Sequence, residues 1–189
     1  MLYRLFLLLM LCVSFPSMAQ VPDQSAEDTF MFEKIEEANK SFLTQNDVDV
    51  FVKVYKTSKS LKENDRKKWQ AIEDASLGEK EKMINEIAQL KPGESFFVSA
   101  FRITLADRAS DPKTVAEAQQ EYTKMTSQLS EIEKQLATMP KEQAQAMRNQ
   151  LNTAIEMMRR VAEFPAENLK IYTANKAILT EAKEYFDSK

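Results

Sequence analysis

Histidine is absent from this chain, and its single cysteine, Cys12, falls inside an apolar N-terminal run. Without an imidazole or a second thiol there is no Ser/His/Asp or Cys/His nucleophile, no dithiol redox centre, no haem attachment motif and no usual zinc site. Glycine is nearly missing too: Gly78 and Gly93 are the only two. Two glycines cannot build a glycine-rich phosphate loop, and a β-rich chain would need more of them at its turns. Positive charge is not in excess either. Lys and Arg number 26 against 29 Asp and Glu, a formal charge of −3. A nucleic-acid-binding chain needs a concentrated basic face, so none is expected here.

Long apolar runs are confined to the N-terminus. Arg4 precedes an apolar core from Leu5 to Phe15, and Ser17-Met18-Ala19 places small residues at the −3 and −1 positions of a cleavage site before Gln20. Residues 1–19 therefore read as a cleaved signal peptide, 20–24 as a linker and 25–189 as a single helical domain. Eleven apolar residues fall short of the roughly twenty needed to span a bilayer. Bulky Leu11 before Cys12 disfavours lipid attachment at that thiol. Cleavage would remove Arg4 and Cys12, leaving 25 basic against 29 acidic residues and no possible disulfide. The mature chain is expected in the periplasm, with an extracellular location as the alternative, without a stable membrane anchor and held together by its core alone.

What the chain does have is helical periodicity. Val115, Ala118, Tyr122, Met125, Leu129, Ile132, Leu136 and Met139 recur at alternating steps of three and four. After Pro140 the same alternation resumes with Ala144, Met147, Leu151, Ala154, Met158 and Val161. Two such stripes on either side of a short break predict a long antiparallel hairpin, about 112–139 and 141–163. Asp111 and Pro112 supply its N-terminal cap and first helical residue. Leu129, in mid-stripe, is expected to be buried, so that Leu129→Ala costs about 2–5 kcal/mol.

The fold class that follows is all-α: a bundle of six or seven helices built on this hairpin, with a C-terminal helix packed against it. Helix one is expected over 25–45, on Met31, Ile35, Ala38 and Phe42. The second, over 46–62, competes with a strand because Val48, Val50, Val52 and Val54 alternate, but Phe51 and Tyr55 extend a helical stripe. A third starts at Asn64-Asp65, carries Trp69 and Ile72, and is capped by Gly78. A fourth, with Met83, Ile84 and Ile87, stops at Pro92-Gly93; the two could equally form one kinked helix. The segment 95–108, the most apolar of the mature chain, is expected as a buried helix with a strand as alternative. A last helix from Pro165 to near Phe186 presents two stripes and is expected to wedge between the hairpin and the N-terminal helices.

Candidate sites are few. Trp69, Phe97, Phe101, Asn168, Tyr172 and Asn175 are the candidate ligand-binding set, because aromatics beside the polar residues of the last helix could line a small apolar pocket. Core packing is the competing reading. Glu33 with Glu37 and Glu117 with Glu121 sit one turn apart, but basic neighbours such as Lys134 near Glu131 and Arg160 near Glu156 favour surface pairing. Met125, Met139, Met147 and Met158 fall on the hairpin stripe and Met157 off it, a pattern of core packing rather than thioether metal ligation. No catalytic residue, metal or cofactor is expected. The function expected is that of an exported, non-enzymatic binding or protein-interaction protein, with a homodimer possible. A carrier of a small apolar ligand is the second reading and a carboxylate-only metal protein or enzyme the third.

Overall fold

The computed structural model describes residues 26–187, so the signal peptide and linker expected over residues 1–24 lie outside the described residues. All regular structure among them is helical: α1 Ala26–Ala38, α2 Gln45–Asn64, α3 Arg66–Asp74, α4 Leu77–Ile87, α5 Phe96–Ala109, α6 Pro112–Leu136, α7 Lys141–Ala162, α8 Ala166–Ala174 and α9 Lys176–Asp187. Both segments that could have been strands are helices.

The body is organised around α5, not around the hairpin. Nearly every residue from Phe96 to Ala106 is buried, and α5 packs on α1, α2, α4, α6, α7 and α8. Helix α2 is its largest partner in the body. Phe96 stacks on Phe51 of α2 with ring centroids 5.5 Å apart, and Phe186 of α9 packs against both rings at 5.2 and 5.7 Å. These aromatic contacts join the C-terminus of the chain to its second helix.

Helices α6 and α7 share the most extensive helix–helix contact in the molecule. Glu133 meets Arg148 at 2.9 Å near the turn, and Ala118 clusters with Val161 at the other end, so the two run antiparallel. Only the base of this pair enters the body: Val115, Ala118, Met157 and Val161 join the core clusters. Beyond it, Tyr122, Leu129, Ile132, Met139, Met147, Leu151 and Ala154 are only half-buried. A two-helix seam has open flanks, and among the described residues neither core cluster reaches these side chains. Leu129 is thus less buried than its stripe position suggested.

Several local expectations change for identifiable reasons. Helix α1 stops at Ala38 rather than near 45, because side chains from elsewhere take its terminal carbonyls. Arg102 donates to the carbonyls of Glu37 and Ala38, each at 3.2 Å. Phe42 consequently lies in a loop, edge-on to Phe164 at 5.2 Å. Helix α2 starts earlier than Asn46, on a capping box in which Thr44 accepts from the Asp47 N–H at 3.3 Å while Asp47 Oδ2 accepts from the Thr44 N–H at 2.8 Å. Gly78 caps nothing: Ala75 ends α3, and Gly78 lies in the first turn of α4.

The expected last helix is broken into α8 and α9 at Asn175. Its backbone N–H bonds the carbonyl of Tyr172, three residues back, while its side-chain Nδ2 takes the carbonyl of Ile171 at 2.9 Å. A side chain thus replaces the backbone donor of the regular ladder. Helix α8 lies on α5 and α9 on α2, rather than wedged principally against the hairpin.

Helix α4 ends in a Schellman arrangement, with Leu90 N–H on Asn85 O at 2.9 Å and Gln89 N–H on Glu86 O at 3.1 Å. The left-handed position is filled by Gln89, φ 49°. A Cβ is strained there, so Gln89→Gly is expected to stabilise the fold by about 0.5–1 kcal/mol. A rise in the urea midpoint at unchanged slope would register it.

Candidate functional site

Two structures stand out from the packed core. One is a buried polar junction holding the loop between α1 and α2; the other is the half-covered arm of α6 and α7.

At the junction four side chains, Asp47, Arg102, Arg160 and Asn168, converge on residues 37–44. Asp47, 4% exposed, is freed by its place in the capping box to turn its second oxygen onto Arg102 at 2.9 Å. Arg160 of α7, also 4% exposed, donates to the carbonyls of Asn39 (2.5 Å) and Ser41 and lies 4.2 Å over the Phe42 ring. Its partners among the described residues are carbonyls, not carboxylates. Burial therefore draws its pKa down, Glu156 opposes this, and neighbouring Arg102 and Arg159 add to the lowering. Asn168 completes the set by donating to Leu43 O at 2.8 Å. Cationic side chains at the carbonyl end of α1 satisfy exposed acceptors and complement the helix dipole. The arrangement fixes a loop.

Glu156 was expected to pair with Arg160. It pairs instead with Arg159 at 2.7 Å, because Arg160 is turned inward to the loop. The remaining carboxylate pairs are spent on lysines: Glu117 on Lys113 at 3.8 Å, Glu121 on Lys124 at 3.7 Å, Glu131 on Lys134 at 3.5 Å and Glu37 on Lys34 at 3.7 Å. Among the described residues no group of three or more acids is placed to hold a metal ion. None of their helices is long and apolar enough to cross a membrane.

The structure places the six candidate ligand-binding residues in the core and at helix junctions. Trp69, Phe97, Phe101 and Tyr172 all belong to the main core, and Phe97 packs edge-on to Phe30 and Phe96 at 5.5 Å each. Asn168 and Asn175 hold backbone carbonyls, and Asn175 also reaches Gln45 at 3.4 Å. Tyr172 gives its hydroxyl to Asp107. A recess of about 10 Å³ lies elsewhere, between Val54, Leu61, Ile72 and Ile84, with room for about one water.

The Tyr172–Asp107 contact extends to Lys183, which pairs with the other carboxylate oxygen. Burial pushes the Asp107 carboxyl up, but the hydrogen bonds from Lys183 and Tyr172 outweigh it and hold the group below the ordinary carboxylate range. Burial, and then the hydrogen bond to Asp107, raise the Tyr172 phenol well above its usual value. A depressed carboxyl stabilises the fold above its unfolded pKa of about 4 and loses that contribution as pH falls further. A raised phenol stabilises below about 10 and loses it as pH rises. Thermal unfolding should therefore show stability falling at both extremes. Asp107→Asn should flatten the acid limb and Tyr172→Phe the alkaline one.

The arm is the feature that no buried contact explains. Asp111 starts it by accepting from the Lys113 and Thr114 N–H groups, with Pro112 in the first turn. Of its methionines, Met125 and Met158 are buried in the seam, Met139 and Met147 are half-exposed, and Met157 faces the core of the body. One flank of the seam carries the ion pair Arg148–Glu133. In the same register the opposite flank carries Gln128 and Gln135 from α6 and Gln143 and Gln150 from α7, all exposed. That row was readable from the heptad register, yet with no charge or aromatic in it, it gave no chemical signal. The junction arginines gave one: Arg102 is a lone cation inside the most apolar run.

Fold and site together define an all-helical bundle with a projecting two-helix arm. No protein-family model, curated protein or solved structure matches this chain.

Proposed function

We propose that this is an exported, non-enzymatic interaction protein that docks a protein partner on the arm formed by α6 and α7. One observation carries the reading: Tyr122, Leu129, Ile132, Met139, Met147 and Leu151, spaced for burial, are left half-covered beside the buried Met125, Leu136 and Ala144, while the body's core is closed. A stripe of Leu, Ile and Met kept partly in water costs stability and solubility, and such faces are characteristic of contact surfaces. The body, on this reading, is a mount: Arg160, Val161 and Met157 root α7 in it, so the arm leaves at a fixed angle. The periplasm remains the proposed location, and cleavage before Gln20 the proposed maturation.

Photo-cross-linking in the native compartment tests this. A photoreactive residue at Gln128, on the arm, should give a discrete adduct with a protein. The same residue at Gln70, exposed on α3, should not. No adduct at Gln128, or the same adduct at both positions, overturns the docking reading. The mass of the recovered chain reports maturation independently.

A further inference from the structure

We infer that the partner of the arm is a second copy of this chain, docked hairpin to hairpin along the glutamine flank so that two arms complete one four-helix bundle. The inference rests on the docking reading above and adds the identity of the occupant. A symmetric interface sets a patch against itself, so a flank of one charge sign would repel its copy. Gln128, Gln135, Gln143 and Gln150 carry no charge, and each amide offers both donors and an acceptor, so the row can pair with an identical row.

The ionic groups bordering this flank are paired within the arm: Glu121, in the same row nearer the base, with Lys124 at 3.7 Å, and Glu131 with Lys134 at 3.5 Å, while Glu133 and Arg148 occupy the opposite flank. Between the glutamines, half-buried Ile132, Met139, Met147 and Ala154 supply the apolar contact. From Glu121 to the turn the arm is about 25 Å long and about 20 Å wide. Covering that face twice removes about 1,000 Å² in all, the lower edge of specific interfaces, so a reversible dimer is expected rather than a permanent one.

Charge exchange along the flank tests this in the purified mature chain. Light scattering from about 1 to about 200 µM, the range suited to an interface of this size, should show the mass rising from monomer towards dimer. A variant with all four glutamines changed to Glu should stay monomeric, as should one with all four changed to Lys. Mixing the two should restore a 1:1 dimer. Circular dichroism checks that each remains helical, and the single change Gln135→Lys, weakening association at least tenfold, replaces any variant that does not. A wild-type chain monomeric throughout, or charged variants that dimerise as the wild type does, overturns the inference. If a wild-type monomer is nevertheless cross-linked at Gln128 to a protein of another mass, docking stands and self-pairing alone falls.

Discussion

Asp47→Ala is expected to destabilise the protein by about 3–5 kcal/mol, the range seen when one partner of a buried ion pair is removed. Three losses coincide at this residue. The capping box at Thr44 loses its carboxylate half, Ser99 loses an acceptor at 3.4 Å, and Arg102 keeps its charge in a site where its side chain is only 14% exposed. The third dominates, since a buried uncompensated charge costs more than an unpaired N–H at a helix start. Removing the charge as well should therefore recover part of the loss: Asp47→Ala with Arg102→Met should be less destabilised than the sum of the single variants, with a coupling of about 1–3 kcal/mol. Urea unfolding at constant slope gives all four corners of the cycle. A cost below about 1 kcal/mol for Asp47→Ala would mean that the bridge to Arg102 does not hold the loop, and the account of why α1 ends at Ala38 would go with it.

Periodicity made the helices legible because it reports which face is apolar, and α2, α6 and α7 all follow it closely. It does not report what covers that face. The stripe from Val115 to Met139 is as regular as any in the chain, yet the element buried on nearly every side is α5, whose periodicity is the weaker because apolar residues surround it. Regular amphipathic spacing marks a helix with one dry side, whereas an even apolar distribution marks the centre. The same logic explains the missed breaks. Asn175 splits the last helix through a side-chain bond to Ile171, and α1 ends through Arg102 and Arg160, which lie more than sixty residues away in sequence. For the candidate set of Trp69, Phe97, Phe101, Asn168, Tyr172 and Asn175, residue type alone does not separate an aromatic that lines a cavity from one that fills a core.

Leu179→Ala should cost about 3–5 kcal/mol and Leu129→Ala no more than about 1–2, although both leucines occupy the apolar stripe of an amphipathic helix. Leu179 is 0% exposed among the core residues joining α9 to α2, so truncation there leaves a cavity that neighbours cannot fill without moving. Leu129 is half-buried on the arm, where water already reaches the side chain and the opposite helix can close on the smaller residue. The comparison is best made in dilute protein, where the arm is unpaired, by the urea midpoints of the two variants. A third variant, measured at low and high concentration, separates packing from pairing. If copies pair through the glutamine flank, Ile132→Ala should become more costly as protein concentration rises, because folding is then linked to dimer formation, while Leu179→Ala should cost the same at both concentrations. Equal costs for the two variants in dilute protein would place the arm's stripe in a closed core, and the surface proposed for docking would not exist.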